Sequence, residues 1–251
     1  MADFLMLVIV DKTENTYSFL QFNRDTMTEV ALIDHNGEGE ATANIQLCTA
    51  HWYGGNREQS CENTVKSVKK LLGGIQIDGY YELNMNEIPK LNSMVDGVTV
   101  TLEDDFSKKY PKMKKGATIN LDDEQAYAYV HDRYGVGDEE NTSRMKRQQQ
   151  YMTGFFKKLQ EKVKANPNYA NEVFERLQDV STTDITIGKI SNISNIFASG
   201  TDKGIFELAG KSKIGQALGD EIDHMEFYVN KKAMVSTMSE LFGIVEQKNK
   251  E

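Results

Sequence analysis

Three short stretches of the chain carry more charge than a strand end or a helix start needs. Arg24-Asp25 directly follows an aromatic run, and His131-Asp132-Arg133 follows a helix-like segment. Arg144-Met145-Lys146-Arg147-Gln148 opens the longest helical pattern in the chain. A guanidinium is a planar fork of N–H donors that matches two oxygens of one carboxylate or phosphate. By the i, i+4, i+7, i+11 rule, Arg144, Gln148, Tyr151 and Phe155 share one helix face. A cation in a first turn opposes the helix dipole by about 0.3–1 kcal/mol, so a helix built for stability alone favours acids there. Arg144 therefore suits either an anion held beside the free N–H groups of that turn or a solvated pair with Glu139 or Glu140. Asp3, just ahead of the first apolar run, is either an exposed acid or a hard oxygen ligand for Mg2+, which takes one or two protein carboxylates plus substrate phosphates. Asp25 and Asp132 can orient a hydroxyl or hold the neighbouring arginines.

Other chemistries find less support. His35, His51, His131 and His224 show no metal-ligand spacing, so no zinc site is expected. Neither a G-x-x-x-x-G-K-[ST] loop nor a G-x-S-x-G elbow is present. Trp52 and Tyr53 read as packing residues, and the lysine-rich 108–115 stretch as a solvated surface. Cys48 and Cys61 are either two free thiols or a disulfide stapling a loop, and the second would imply an oxidising setting. The chain-entropy model gives such a loop about 3 kcal/mol.

The elements that must position these residues alternate along the chain. Residues 4–10 form an unbroken apolar run, the pattern of a strand buried on both faces. With residues 16–22 it reads as a hairpin. Residues 31–56 look like loop, residues 58–72 like a helix stopped by Gly73-Gly74. A strand at 79–83, a short helix at 86–95 and a strand at 97–102 follow. Asp122 caps a helix carrying Ala126, Tyr127 and Val130. A glycine- and acid-rich loop at 134–141 leads into the long helix from Thr142 to about Ala165. Residues 168–198 read as mostly helical, 200–219 as loop or short strand, and 225–229 as a strand. Asn230 caps a last helix to Phe242, and 244–251 read as a charged tail.

This alternation predicts one α/β domain over residues 1–243. The 251 residues are ample for a core. A formal net charge of −9 repels nucleic acid, so an anionic ligand needs a dedicated arginine pocket. No apolar run approaches the roughly 20 residues of a membrane span. The chain opens almost directly on a strand, which reads as a domain whose N-terminal part has been removed.

Six pieces together resemble the LytR–CpsA–Psr (LCP) family, the cell envelope-related transcriptional attenuator domain. They are Ala2-Asp3-Phe4-Leu5-Met6-Leu7, Phe22-Asn23-Arg24-Asp25-Thr26, Ala50-His51-Trp52-Tyr53-Gly54-Gly55, Val95-Asp96-Gly97-Val98-Thr99-Val100, the run Leu121 to Val130, and Asn141-Thr142-Ser143-Arg144-Met145-Lys146-Arg147-Gln148. Their order and spacing match over about residues 2–164. The resemblance implies a three-layer α/β/α sandwich with a mixed central sheet. It implies a Mg2+-dependent phosphotransferase, with a pyrophosphatase side activity, at the extracytoplasmic face of the bacterial membrane. Such an enzyme moves a glycopolymer, teichoic acid or capsule for example, from a polyprenyl-pyrophosphate carrier onto peptidoglycan or a related acceptor. Two other readings are a non-catalytic polyprenyl-phosphate binder or wall-assembly scaffold, and a transcriptional attenuator, which the acidic charge disfavours.

By resemblance, Asp3 is one of two metal-linked aspartates. Arg24 is a pyrophosphate clamp at a strand end, with Asp25 beside it. Arg133, Arg144 and Gln148 are further phosphate contacts, Arg147 is a further substrate-binding residue, and Phe155, Phe156 and Leu159 line an apolar tunnel. The family's earlier Gly-x-Asp strand and the membrane helix before it are expected in the removed N-terminal part. The chain departs from the family pattern at three places. His131 stands at the first position of Arg-x-Arg, Asn141 where many members have aspartate, and Gln46 where a basic residue is common.

Overall fold

The computed structural model describes residues 1–39 and 41–243. In chain order its strands and helices are β1 (Leu5–Asp11), β2 (Thr16–Phe22), β3 (Met27–Ala31), β4 (Thr42–Gln46), α1 (Arg57–Leu71), β5 (Tyr81–Leu83), α2 (Ile88–Met94), β6 (Thr99–Thr101), β7 (Thr118–Asn120) and α3 (Asp123–His131). Then come α4 (Asn141–Ala165), α5 (Tyr169–Leu177), β8 (Ser181–Thr183), α6 (Ile187–Ser199), β9 (Thr201–Glu207), β10 (Gly210–Gly215), β11 (His224–Val229) and α7 (Lys231–Phe242). A short 3-10 helix, Leu47–Trp52, joins β4 to α1.

The central sheet is mixed, as expected. β2 lies between β1, which it pairs antiparallel, and β9, which it pairs parallel. Its pleat sends alternate side chains to opposite faces. Leu20 and Phe22 join a core with Val68 and Leu72 of the α1 region and Met238 of α7. Phe19 stacks on Phe156 of α4 at 4.2 Å between centroids, and Tyr17 meets Phe197 of α6 at 5.0 Å. Helices thus cover both faces, the layering of an α/β/α sandwich. Four further strand pairs, β3-β4, β5-β8, β6-β7 and β10-β11, extend the strand layer as separate ladders.

Three expectations need correction. The run at residues 4–10 is an edge strand, not one buried on both faces: Val8 is 52% exposed, while β2 is the buried centre. A strand with only one neighbour keeps a side open to solvent whatever its hydrophobicity. Residues 31–56 contain β4, which pairs with the preceding β3, and a 3-10 helix instead of loop alone. Their polar composition hid a ladder that Val30 and Ile45 bury. Residues 200–219 hold two strands, β9 and β10, in place of a loop or a single short strand. Cys48 and Cys61 are both free, so no disulfide staples the loop. The expected charged tail at 244–251 lies outside the described residues. Among the described residues, no helix is long and apolar enough to cross a membrane.

Candidate active site

The turn after β2 aims the first two functional side chains. Asn23 Oδ1 accepts the Asp25 N–H at 2.9 Å, and Thr26 donates its N–H and its hydroxyl to the Asn23 carbonyl at 3.0 and 2.7 Å. This is an Asx-type turn, in which a short polar side chain takes over backbone hydrogen bonding. Two more elements pin its backbone. The Arg24 carbonyl accepts from the Cys48 N–H at 2.9 Å, and the Asp25 carbonyl accepts from the Phe227 N–H at 2.8 Å. Arg24 and Asp25 are thereby held on a rigid corner between β2, the 3-10 helix and β11.

The start of α4 supplies the other half. Its first turn contains no acidic residue. Asn141 Nδ2 instead lies 3.3 Å from both Asn23 Oδ1 and Asp25 Oδ2, and its Oδ1 accepts from an Arg144 terminal nitrogen at 2.8 Å. Asn141 therefore links an aspartate to an arginine. A carboxylate at that position would draw the same arginine more strongly but would repel Asp25.

Four charges meet here from distant parts of the chain. Asp3 pairs with Arg24 and lies 3.8 Å from Arg144, while Arg24 Nε lies 3.6 Å from Asp25. Arg144 is 6% exposed, and its Nε has no hydrogen-bond partner although it is buried. A buried donor left unpaired costs about 1–3 kcal/mol, more when charged, so a partner is the expected condition for this group. Burial holds the Asp25 carboxyl above its ordinary value, against the pull of Arg24, Arg144 and Arg133. Burial also lowers Arg144, where Asp3 opposes the fall and the positive charges of Arg24 and Arg133 add to it. For Arg24 burial works against the charge, but Cys48, Asp3 and Asp25 together raise it.

Arg133 reaches the same field from the loop after α3. Its guanidinium lies over the Tyr134 ring at 4.7 Å and donates to the Tyr134 hydroxyl at 2.6 Å. Arg24 and Arg144 thus meet the carboxylates Asp3 and Asp25, and Arg133 adds positive charge to their field. That leaves a local positive surplus in a chain that is acidic as a whole, the condition for capturing an anion.

The remaining candidates fall elsewhere. Arg147 is 2% exposed, with Nε donating to the Tyr129 carbonyl at 3.0 Å and its terminal nitrogens to Asp104 and the Asp132 carbonyl. Gln148 donates to the Val130 carbonyl at 3.1 Å and accepts from Gln21 at 3.4 Å. Both side chains are engaged at the C-terminal end of α3, so this structure does not bring them to the arginine cluster. The last carbonyls of a helix lack partners within it, and Arg147 and Gln148 supply donors to them. Asp132 faces Lys109 and His131, so of the two aspartates weighed for orienting a hydroxyl only Asp25 lies at the cluster. Phe155 is a filled core position among Val98, Tyr129 and Tyr151, and Phe156 and Leu159 pack against the same cluster. The expected open apolar lining is here occupied by packed side chains. Two surface clefts, one at Asn36 and Glu62 and one at Val163 and Ser199, lie away from the arginines.

Two residues at the site escaped the sequence reading. Asn23 had a legible signal, since Asn at a strand end is a turn former. Cys48, whose sulfur lies 3.5 Å from Arg24, carried none.

The LytR_cpsA_psr family model matches residues 1–242. No curated protein matches. Among solved structures, TagT bound to LIIa-WTA is 20% identical, with 96% of this chain and 84% of that chain covered and a TM-score of 0.70. TagV of B. subtilis is 20% identical over 97% of this chain and 90% of its own, with a TM-score of 0.70. Protein gbs0355 of Streptococcus agalactiae is 21% identical over 96% and 78%, with a TM-score of 0.74. At these identities the likeness is one of fold, including its α/β layering.

Proposed function

Because the chain belongs to the LytR_cpsA_psr family, we propose that it transfers a glycopolymer from a polyprenyl-pyrophosphate carrier to peptidoglycan or a related wall acceptor, outside the cytoplasmic membrane. One observation carries this reading: Arg24 and Arg144, far apart in sequence, meet at Asp3, with Asp25 beside Arg24. A diphosphate carries two or more negative charges, and guanidinium groups bind such oxygens with charge-assisted, often bidentate hydrogen bonds. The unpartnered Arg144 Nε is a donor ready for one of them.

In this reading the arginines hold the diphosphate and stabilise the charge that develops on the departing prenyl phosphate. The acceptor hydroxyl oxygen forms a bond to the glycan-bearing phosphorus. The bond from that phosphorus to the bridging oxygen breaks, and polyprenyl phosphate leaves. Asp25 is the carboxylate placed to take the hydroxyl proton, and its burial, by raising its proton affinity, suits that role. The Asp3 carboxylate is a hard oxygen donor beside the arginines, which suits Mg2+ with substrate phosphates completing its shell. When bound there, Mg2+ would neutralise part of the diphosphate charge.

The test is transfer measured with a polyprenyl-pyrophosphate-linked glycan and a wall acceptor. Arg24→Ala and Arg144→Ala are each expected to slow transfer by about 10²–10³-fold. Undiminished turnover in both variants rules out the arginine clamp. Tight binding of the carrier with no turnover in wild type, with Mg2+ present, would instead make the protein a lipid-phosphate binder. Mass spectrometry of the purified protein should also find a co-purified polyprenyl phosphate.

A further inference from the structure

His51, Cys61 and Glu82 come together on the side of the 3-10 helix and α1 that faces β5. Their ligand atoms, an imidazole nitrogen, Sγ and a carboxylate oxygen, all lie within 4.8 Å of one another. Cys61 Sγ and His51 Nε2 are 3.9 Å apart. Cys61 is buried, and the other two are half-buried, so the trio opens towards solvent on one side. Three different elements supply them: the end of the 3-10 helix, the second turn of α1, and β5.

We propose that these three side chains bind a Zn2+-class divalent ion. The donor set of one thiolate, one imidazole and one carboxylate is borderline-soft and suits Zn2+ over Mg2+ or Ca2+. Tetrahedral Zn2+, with bonds of about 2.3 Å to sulfur and 2.0–2.1 Å to nitrogen, holds those two atoms about 3.6 Å apart. The observed separation is within a small side-chain adjustment of that value. Arg57 donates to both Glu82 oxygens, at 2.8 and 2.7 Å, and so fixes the carboxylate rotamer. Carboxylate ligands in metal sites are commonly held in this way by hydrogen bonds. Three protein ligands leave the fourth position to water. Binding releases the Cys61 thiol proton to solvent while His51 binds as the neutral ring. The proposal runs against the sequence expectation of no zinc ligation. Its ligands are separated by ten and 21 residues across three elements, a spacing that no short motif captures.

The site is independent of the phosphotransferase reading. Cys48 and His51 are one turn apart on a 3-10 helix, whose i and i+3 side chains eclipse. Metal at His51 would therefore brace the helix that carries Cys48 against Arg24.

The experiment titrates chelator-treated protein with Co2+ and follows the thiolate-to-cobalt charge-transfer absorption, with circular dichroism reporting the fold of every variant. Wild type is expected to saturate at one equivalent and to lose the band when Zn2+ is added. Cys61→Ser is expected to abolish the band, Cys48→Ser to keep it, and His51→Ala to weaken binding by about tenfold or more. A folded wild type with no band, meaning a plain Cys–His contact, overturns the proposal. So does a band that persists in Cys61→Ser, or an affinity unchanged in His51→Ala.

Discussion

At the scale of single residues, the site separates two kinds of arginine that look alike in sequence. Arg144 sits at the first turn of α4 with an unpaired Nε, whereas Arg147 has every direction of its fork engaged inside the protein. Removing one member of a buried charge pair leaves the other uncompensated, at a cost of about 3–5 kcal/mol. Arg147→Ala is therefore expected to lower stability by about that amount in urea denaturation. Arg144→Ala should leave stability close to wild type and impair transfer. Equal stability losses in the two variants would contradict this division. Lysine at 147 should rescue little, because a single ammonium cannot reach Asp104 and two carbonyls at once.

At the scale of elements, what places Arg24 is the junction of β3, the 3-10 helix and α1. Asn63 of α1 is fully buried, and its Nδ2 lies 3.0–3.1 Å from the carbonyls of Ala31, Ala50 and Tyr53. Those three carbonyls belong to the end of β3 and to the 3-10 helix and its exit, so one amide ties the junction together. Asn63→Ala strands buried acceptors, which costs about 1–3 kcal/mol in total. The helix cap at Asp122, with its reciprocal partner Gln125, is an exposed local device, and Asp122→Ala should cost about 1 kcal/mol. Chemical denaturation of both variants ranks them, and only Asn63→Ala is expected also to weaken substrate binding by loosening the corner beneath Arg24. A larger loss from Asp122→Ala would show that local capping outweighs the junction.

At the scale of the whole molecule, the charge cluster links the site to acid stability. Asp25 has a folded-state value raised above 3.8, by burial first and against the opposing arginines. A raised carboxyl keeps its proton longer in the folded state than in the unfolded chain. Its favourable contribution is therefore complete below 3.8 and is lost as pH rises through the raised value. Asn at this position does not titrate. The difference in melting temperature, wild type minus Asp25→Asn, is thus expected to fall as pH rises from about 4 towards neutrality. A difference that stays constant, or rises, over that range would show that the arginines outweigh burial at Asp25.

The sequence by itself determined the α/β class, the long helix with its positively charged start, and the arginine-bearing stretches, because each is written in local periodicity or in residue type. It also determined Asn230 and Asp122 as helix caps, since a cap needs only its own first turn. Only the tertiary structure decided which strand is central. The most hydrophobic run became the edge β1, and β2, with its buried Ser18 and Gln21, became the centre. Hydrophobicity says that a strand can be buried, while a neighbour far along the chain, here β9 with Thr201 opposite Thr16, says whether it is. Likewise, Arg144 and Arg147 lie one turn apart with the same chemistry. What separates them is that the carbonyls ending α3 lie beside one and Asp3 beside the other, a fact of packing that no spacing along the chain contains.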